Sequence, residues 1–309
     1  MGVKISAFCF PNFSFCFPPP FARWFGQSFA FSGSALTVII PGRMIKLIST
    51  DFDGTVFAEH EDPPVPFALQ ERIAQLQRQG AKWVINTGRD MVSLREALEQ
   101  CRLTVRPDFL VLVEREIYSR SDFGYAGDKA WNLSCTRAHA ELFRRVTADV
   151  PRLRAWIEAR YEAVCYADDY SPFCLMAKQT GDADAIHQYL TDYCRTVPYL
   201  TVVRNNVCSR FSHEAFNKGT ALAEIARQLG VLPAETFAAG DHLNDVPMLS
   251  QRYARWLTAP ANAIPAIKDL VEGQNGFVSK QSHGHGVVEG LEFHLEAEAG
   301  VVNEARFKL

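Results

Sequence analysis

The chain has 309 residues, 48% of them hydrophobic, with 32 basic residues against 35 acidic ones. That is enough apolar material for about two domain cores, and a balanced charge with no long basic block argues against nucleic acid as a partner. No apolar run approaches the roughly 18 residues that span a bilayer, so no membrane association is expected. The eight cysteines are scattered, without C-x-x-C pairs or zinc-type spacing, which fits a reduced, cytoplasmic chain better than a disulfide framework.

Residues 1–43 stand apart. They hold nine phenylalanines, the run Pro18-Pro19-Pro20, no Asp or Glu, and three basic residues, Lys4, Arg23 and Arg43. No helix or strand period is visible there, and the arrangement fits a secretory signal poorly. A disordered or non-native leader is expected, with folding and authentic translation starting at Met44.

From Met44 onwards short apolar runs alternate with amphipathic segments. Residues 45–50 read as a strand. Residues 66–79 read as a helix, with Leu69, Ile73 and Leu76 on one face and Gly80 beyond its end. A strand at 82–86, a helix near 90–100 and a strand at 109–113 follow. This rhythm predicts an α/β fold whose parallel sheet is covered on both faces. Between about 120 and 208 the rhythm changes: helices at 137–146, 152–160 and 182–195, and strands at 162–166, 173–178, 199–204 and 207–211. This reads as an inserted α+β domain, with the core made of 44–119 and 209–309. The βα pattern resumes with a helix at 218–229, a strand at 236–239, a helix at 245–251 and a strand at 254–257.

Four polar clusters carry chemistry. Asp51-Phe52-Asp53-Gly54-Thr55 follows directly on an apolar strand, where open α/β sheets bind ligands. Two carboxylates two residues apart can hold a hard cation or divide nucleophilic and proton-transfer work; a solvated turn is the plain alternative. Asn86-Thr87-Gly88-Arg89 joins a strand end to a helix start, which suits a phosphate oxygen, or else is only a helix cap. Asn217-Lys218-Gly219 opens a helix; a lysine there can neutralise phosphate and carboxylates, although most such lysines are solvated. Gly240-Asp241-His242-Leu243-Asn244-Asp245 presents oxygen ligands in a tight loop, as Mg²⁺ prefers, with a capping role for Asp245 as the alternative.

As an ordered set these clusters resemble the haloacid dehalogenase superfamily of phosphohydrolases: D-F-D-G-T at 51–55, the threonine of N-T-G-R at 86–89, Lys218, and G-D-H-L-N-D at 240–245. The resemblance covers 44–294. The insertion lies between the threonine and lysine motifs, the position of a type-II cap, of the kind found in Cof-like hydrolases, sucrose-phosphate phosphatases and phosphomannomutases. The resemblance implies a Rossmann-like core, a cap over the site, Mg²⁺ and an aspartyl-phosphate intermediate. It implies Asp51 as nucleophile and metal ligand. Asp53 is implied as the acid and base, with its backbone carbonyl on the metal. Thr87 and the Gly88 amide hold phosphate, Lys218 balances charge, Asp241 ligates Mg²⁺, and Asn244 and Asp245 give support. Cof-like chains usually carry Asn-Gly after the third strand; here the segment is Val113-Glu114-Arg115-Glu116, so that contact does not transfer, and Arg115 is expected at the surface.

Weaker features are read plainly. His283-Gly284-His285 is expected in a flexible loop before 287–291 rather than on a metal. Asp168-Asp169 marks a turn. Trp131, Tyr166, Tyr170 and Phe173 are expected in the core of the insertion rather than in a pocket. The leading functional expectation is a phosphatase acting on a small organic phosphomonoester such as a sugar phosphate. A phosphomutase that returns the phosphate to a hexose, and a binding protein without activity, are the alternatives.

Overall fold

The structure is a computed structural model that describes residues 45–307, with side chains to residue 297. The expectations for residues 1–43 lie outside it. Strands β1 (Leu47–Thr50), β2 (Lys82–Asn86) and β3 (Phe109–Leu112) are linked by helices α1 (Phe67–Arg78) and α2 (Met91–Gln100). The chain then turns through β4 (Glu116–Ser121) and β5 (Gly124–Gly127). Helices α3 (Lys129–Val146) and α4 (Val150–Glu158) lead to β6 (Ala163–Asp168) and β7 (Ser171–Ala177); α5 (Thr180–Cys194) leads to β8 (Leu200–Asn205) and β9 (Cys208–His213). The last part comprises α6 (Lys218–Leu229), β10 (Thr236–Ala239), β11 (Trp256–Ala259), α7 (Pro265–Glu272), β12 (Phe277–Val278) and α8 (His283–Phe307).

Two sheets result. The larger has the order β12-β11-β10-β1-β2-β3-β4-β5, parallel from β12 to β3 and antiparallel at the β4–β5 edge. Its central strands β1 and β10 are buried throughout, as expected for a sheet with helices on both faces. One apolar cluster, including Ile48, Leu69, Ile73, Trp83, Ile85 and Phe237, packs on one side. A second, including Leu47, Val84, Leu222, Ile225, Leu257 and Ile267, packs on the other. Successive residues of one strand thus serve opposite cores, the period-2 alternation of a strand. The order reverses between β1 and β10, because β2 follows on one side while β10 returns on the other. That crevice at the carboxyl ends is where open α/β sheets bind ligands.

The smaller sheet, β6-β7-β9-β8, is antiparallel. Cys165, Phe173, Leu175 and Phe211 pack with Leu142, Ile157, Ile186 and Leu190 from α3, α4 and α5 in a third core. The alternate residues Val164, Tyr166 and Met176 are exposed, so one face of this sheet carries no helices.

Most elements match the sequence reading within a residue or two. Three differ. The helix expected at 245–251 is a single 3-10 turn, Leu243–Asp245, since Pro247 cannot donate to a continuing helical ladder. Residues 283–286 are the first turn of α8 and not a loop. The larger sheet also continues past residue 119 through the β4–β5 hairpin to Gly127.

Candidate active site

The strand ladder itself delivers Asp51. Its N–H still donates to the Ala239 carbonyl of β10 at 2.9 Å, so the carboxyl group is held at the β1/β10 crevice and is almost fully buried. The chain leaves β1 sharply at Gly54, which has φ +78°. A Cβ there would lie 2.5 Å from Asp241 Oδ2, so glycine serves both the backbone conformation and the close approach of the two motifs. Thr55 Oγ1 donates to Asp241 Oδ1 at 2.9 Å and fixes that carboxylate from the same loop.

Lys218 is the centre of the charge network. It is fully buried at the start of α6, and its Nζ lies 2.5 Å from Asp51 Oδ1 and 2.6 Å from Asp245 Oδ1. Its backbone is positioned twice. Asn217 caps the helix by accepting from the Gly219 and Thr220 amides, and Asn86 Nδ2 donates to the Lys218 carbonyl at 3.0 Å. Gly219 lets the helix start meet the next motif, since a Cβ there would lie 2.2 Å from the Pro247 carbonyl oxygen. Asp245 accepts from the Asp241 and His242 amides through its other oxygen.

Three buried or half-buried carboxylates therefore share one ammonium, and the charge does not balance. Burial first, and then the charge of Asp245, push Asp51 well above the ordinary carboxylate range, against the pull of Lys218. The same two causes raise Asp241 to about 7. Burial opposes the charge on Lys218, but Asp245 and Asp51 outweigh it and hold the ammonium protonated. One oxygen from each of Asp51, Asp241 and Asp245 lies within 4.8 Å of the others. An all-oxygen donor set with excess negative charge fits a hard divalent cation such as Mg²⁺.

The remaining motif residues surround a cavity of about 760 Å³ above this cluster. Gly88 and Asp53 line its floor, and Tyr166, Cys208 and Arg210 of the smaller sheet line its roof. Thr87 is buried beside it, its Oγ1 accepting from the Arg89 amide at 3.1 Å. Arg210 Nη2 reaches the Gly88 carbonyl at 3.3 Å, and the Asn206 amide donates to the His242 ring at 3.2 Å. The two sheets thus meet around the cavity.

The profile of the sucrose-6F-phosphate phosphohydrolase family matches residues 44–295. The chain belongs to this family. Its place in the haloacid dehalogenase superfamily, and its standing as a phosphoric monoester hydrolase, follow from that membership. Among solved structures, the sucrose-phosphatase of Synechocystis sp. PCC6803, determined with sucrose and phosphate, is 20% identical. That likeness has a TM-score of 0.61 and covers 81% of this chain and 98% of that one. A haloacid dehalogenase-like hydrolase from B. subtilis is also 20% identical, with a TM-score of 0.55 and coverage of 80% and 99%. Among curated proteins, YxeH of Bacillus subtilis (strain 168), which carries a phosphatase name, is 24% identical over 271 residues, 80% of this chain and 97% of its own.

The structure adds placements that the sequence reading did not give, and it places Arg115 differently. The Asp53 carboxylate is outside the three-carboxylate group. It is held by Arg89, whose Nε lies 2.8 Å from Oδ2 and whose Nη2 lies 2.7 Å from Oδ1. Arg89 was visible in N-T-G-R, but nothing in a linear motif reveals a partner 36 residues away. Arg115 is buried rather than at the surface, donating to the Tyr170 carbonyl at 2.8 Å, because the smaller sheet's β6–β7 turn covers it. Glu114, and not Arg115, lines the cavity, its carboxyl 3.2 Å from the Cβ position of Gly88. Asn244 is buried, and neither of its side-chain polar atoms finds a partner among the described residues; with Lys218 it lines a second, smaller cavity. Of the four aromatics, Phe173 is core and Tyr166 faces the main cavity. Trp131 donates from Nε1 to the Arg115 carbonyl, and Tyr170 supplies the carbonyl that Arg115 meets.

Proposed function

We propose that the chain is a Mg²⁺-dependent phosphatase for a small sugar phosphate, working through an aspartyl-phosphate on Asp51. The observation that carries this reading is the fully buried Lys218 bridging Asp245 and Asp51, of which Asp51 lines a polar cavity. A buried ammonium with two carboxylates is costly to assemble, and phosphoryl transfer is a reaction that uses such charge placement.

In this reading an oxygen of Asp51 attacks phosphorus, and the bond from phosphorus to the ester oxygen breaks. Asp53 gives the leaving alcohol its proton. Asp53 then takes a proton from water, whose oxygen attacks phosphorus, and Asp51 leaves as a carboxylate with release of inorganic phosphate. Asp53 can act only once its pair with Arg89 opens, so Arg89 holds the acid–base group until substrate competes for it. Thr87 and the Gly88 amide receive the phosphoryl oxygens, and Lys218 keeps Asp51 oriented and compensates its charge. Asp51 and Asp241, supported by Asp245, would hold Mg²⁺, which supplies charge stabilisation at the transferring phosphoryl group. The smaller sheet, with α3, α4 and α5, acts as the cap, closing over the substrate and excluding bulk water during transfer.

The cavity's volume and polar lining suit a polyhydroxylated leaving group. The relative crystallised with sucrose and phosphate points the same way. The test is phosphate release by the full chain from a panel of sugar phosphates that includes sucrose 6F-phosphate, with Mg²⁺ and with chelator. Metal-dependent release from one or a few sugar phosphates is expected. Equal release with chelator, or a preference for non-sugar esters, would overturn the respective part of the reading.

A further inference from the structure

A second convergence of ligating side chains lies outside the Asp51 group. His60 and Glu61 belong to the connection between β1 and α1, and His283 opens α8. One ligand atom of each lies within 4.8 Å of the others. His283 Nδ1 stands 3.1 Å from Glu61 Oε1, and the His60 and His283 rings meet edge to face with centroids 5.2 Å apart. Two ligand atoms on a tetrahedral zinc ion, each about 2.1 Å from the metal, are about 3.4 Å apart. The Glu61–His283 pair already has nearly that separation. His60 is exposed, so a rotamer change can bring its ring onto the third edge. His283 also takes a φ of +50°, a left-handed conformation uncommon for a residue with a Cβ. That outlier falls on the residue whose ring faces Glu61.

We infer that His60, Glu61 and His283 form a site for a borderline divalent cation of the Zn²⁺, Co²⁺ or Ni²⁺ class. Two imidazoles and one carboxylate select such ions over Mg²⁺, which prefers oxygen alone. The ion would retain a position for water on the exposed side. It would also tie α8 to the loop that follows the catalytic motif. The His283 N–H donates to Asn262 Oδ1 at 2.8 Å, and Asn262 Nδ2 donates to the Gly54 carbonyl at 2.7 Å. The site is thus two hydrogen bonds from Gly54, and it acts as a clamp on the loop rather than as part of the reaction.

The experiment is a titration of Zn²⁺ into the chelator-treated full chain with Mg²⁺ in excess, so that oxygen-only sites are already filled. One equivalent of zinc and a raised Tm are expected, and Co²⁺ in place of zinc should give visible d–d absorption of a histidine-containing site. His60→Ala and His283→Asn, the latter a residue that tolerates left-handed backbone, should each weaken zinc binding by more than about tenfold. His60→Ala should leave the metal-free Tm and Mg²⁺-dependent phosphate release unchanged, which separates loss of this site from misfolding and from failure of the phosphatase reading. No zinc equivalent in the wild-type chain, or an equivalent that survives both substitutions, would overturn the inference.

Discussion

The two sheets treat their side chains in opposite ways. At the carboxyl edge of the larger sheet, Asp51, Asp245 and Lys218 are buried and bonded to one another before any substrate arrives. On the open face of the smaller sheet, Val164, Tyr166 and Met176 remain exposed. The first arrangement is rigid and preorganised, which is what charge stabilisation of a transition state requires. The second has room to adapt, which is what recognition of a leaving group requires. In the proposed reading, chemistry and selectivity thus fall to different sheets.

That contrast can be broken at its strongest point first. Asp51→Asn should lower phosphate release by more than about 10³-fold while far-UV circular dichroism stays native. Lys218→Ala should be nearly as damaging to activity and also destabilise the fold. It leaves two buried carboxylates without their counter-charge, a loss of about 3–5 kcal/mol measurable by urea unfolding. Gly54→Ala imposes a Cβ on a left-handed backbone and on Asp241, so a loss of about 1–3 kcal/mol with reduced turnover is expected from the same two assays. Tyr166→Ala belongs to the other sheet. It should raise KM with kcat little changed, and leave stability within about 0.5 kcal/mol.

The smallest effect is on pH and metal together. Asp241 is raised to about 7 in the fold against an ordinary value of 3.8. Between those values the folded state binds more protons than the unfolded chain, so without metal this group's contribution to stability falls as pH rises from about 4 to about 7. A divalent cation favours the ionised carboxylate. The rise in Tm on adding Mg²⁺ should therefore be greater at about pH 8 than at about pH 5, as thermal melts would show. An Mg²⁺ effect that is the same at both pH values would mean that Asp241 takes no part in binding the cation.

The division between the sheets also explains what the sequence disclosed. β1, β2 and β10 were legible because a buried parallel strand is a short apolar run, and each run ends in a motif with its own local signature. Helix α6 was legible from its periodicity and its Asn217 cap. The 3-10 turn at Leu243–Asp245 was not, because the apolar residues Val246, Met248 and Leu249 imitate a helical face across Pro247. Nor was the Arg89–Asp53 pair, nor the burial of Arg115, since both depend on segments distant in sequence meeting in space. The β4–β5 hairpin, with two serines and two glycines in twelve residues, has too little apolar alternation to declare itself. His283 reads as loop in sequence because its partners, His60 and Glu61, lie more than 200 positions earlier.

The central claim is that Asp51 carries the phosphoryl group. Its most direct test is to quench the enzyme in acid during turnover of a good substrate, reduce any acyl-phosphate with borohydride, and map the product by mass spectrometry. Homoserine at position 51 is the expected result. Homoserine at position 53 or 241, with position 51 unmodified, would contradict the account.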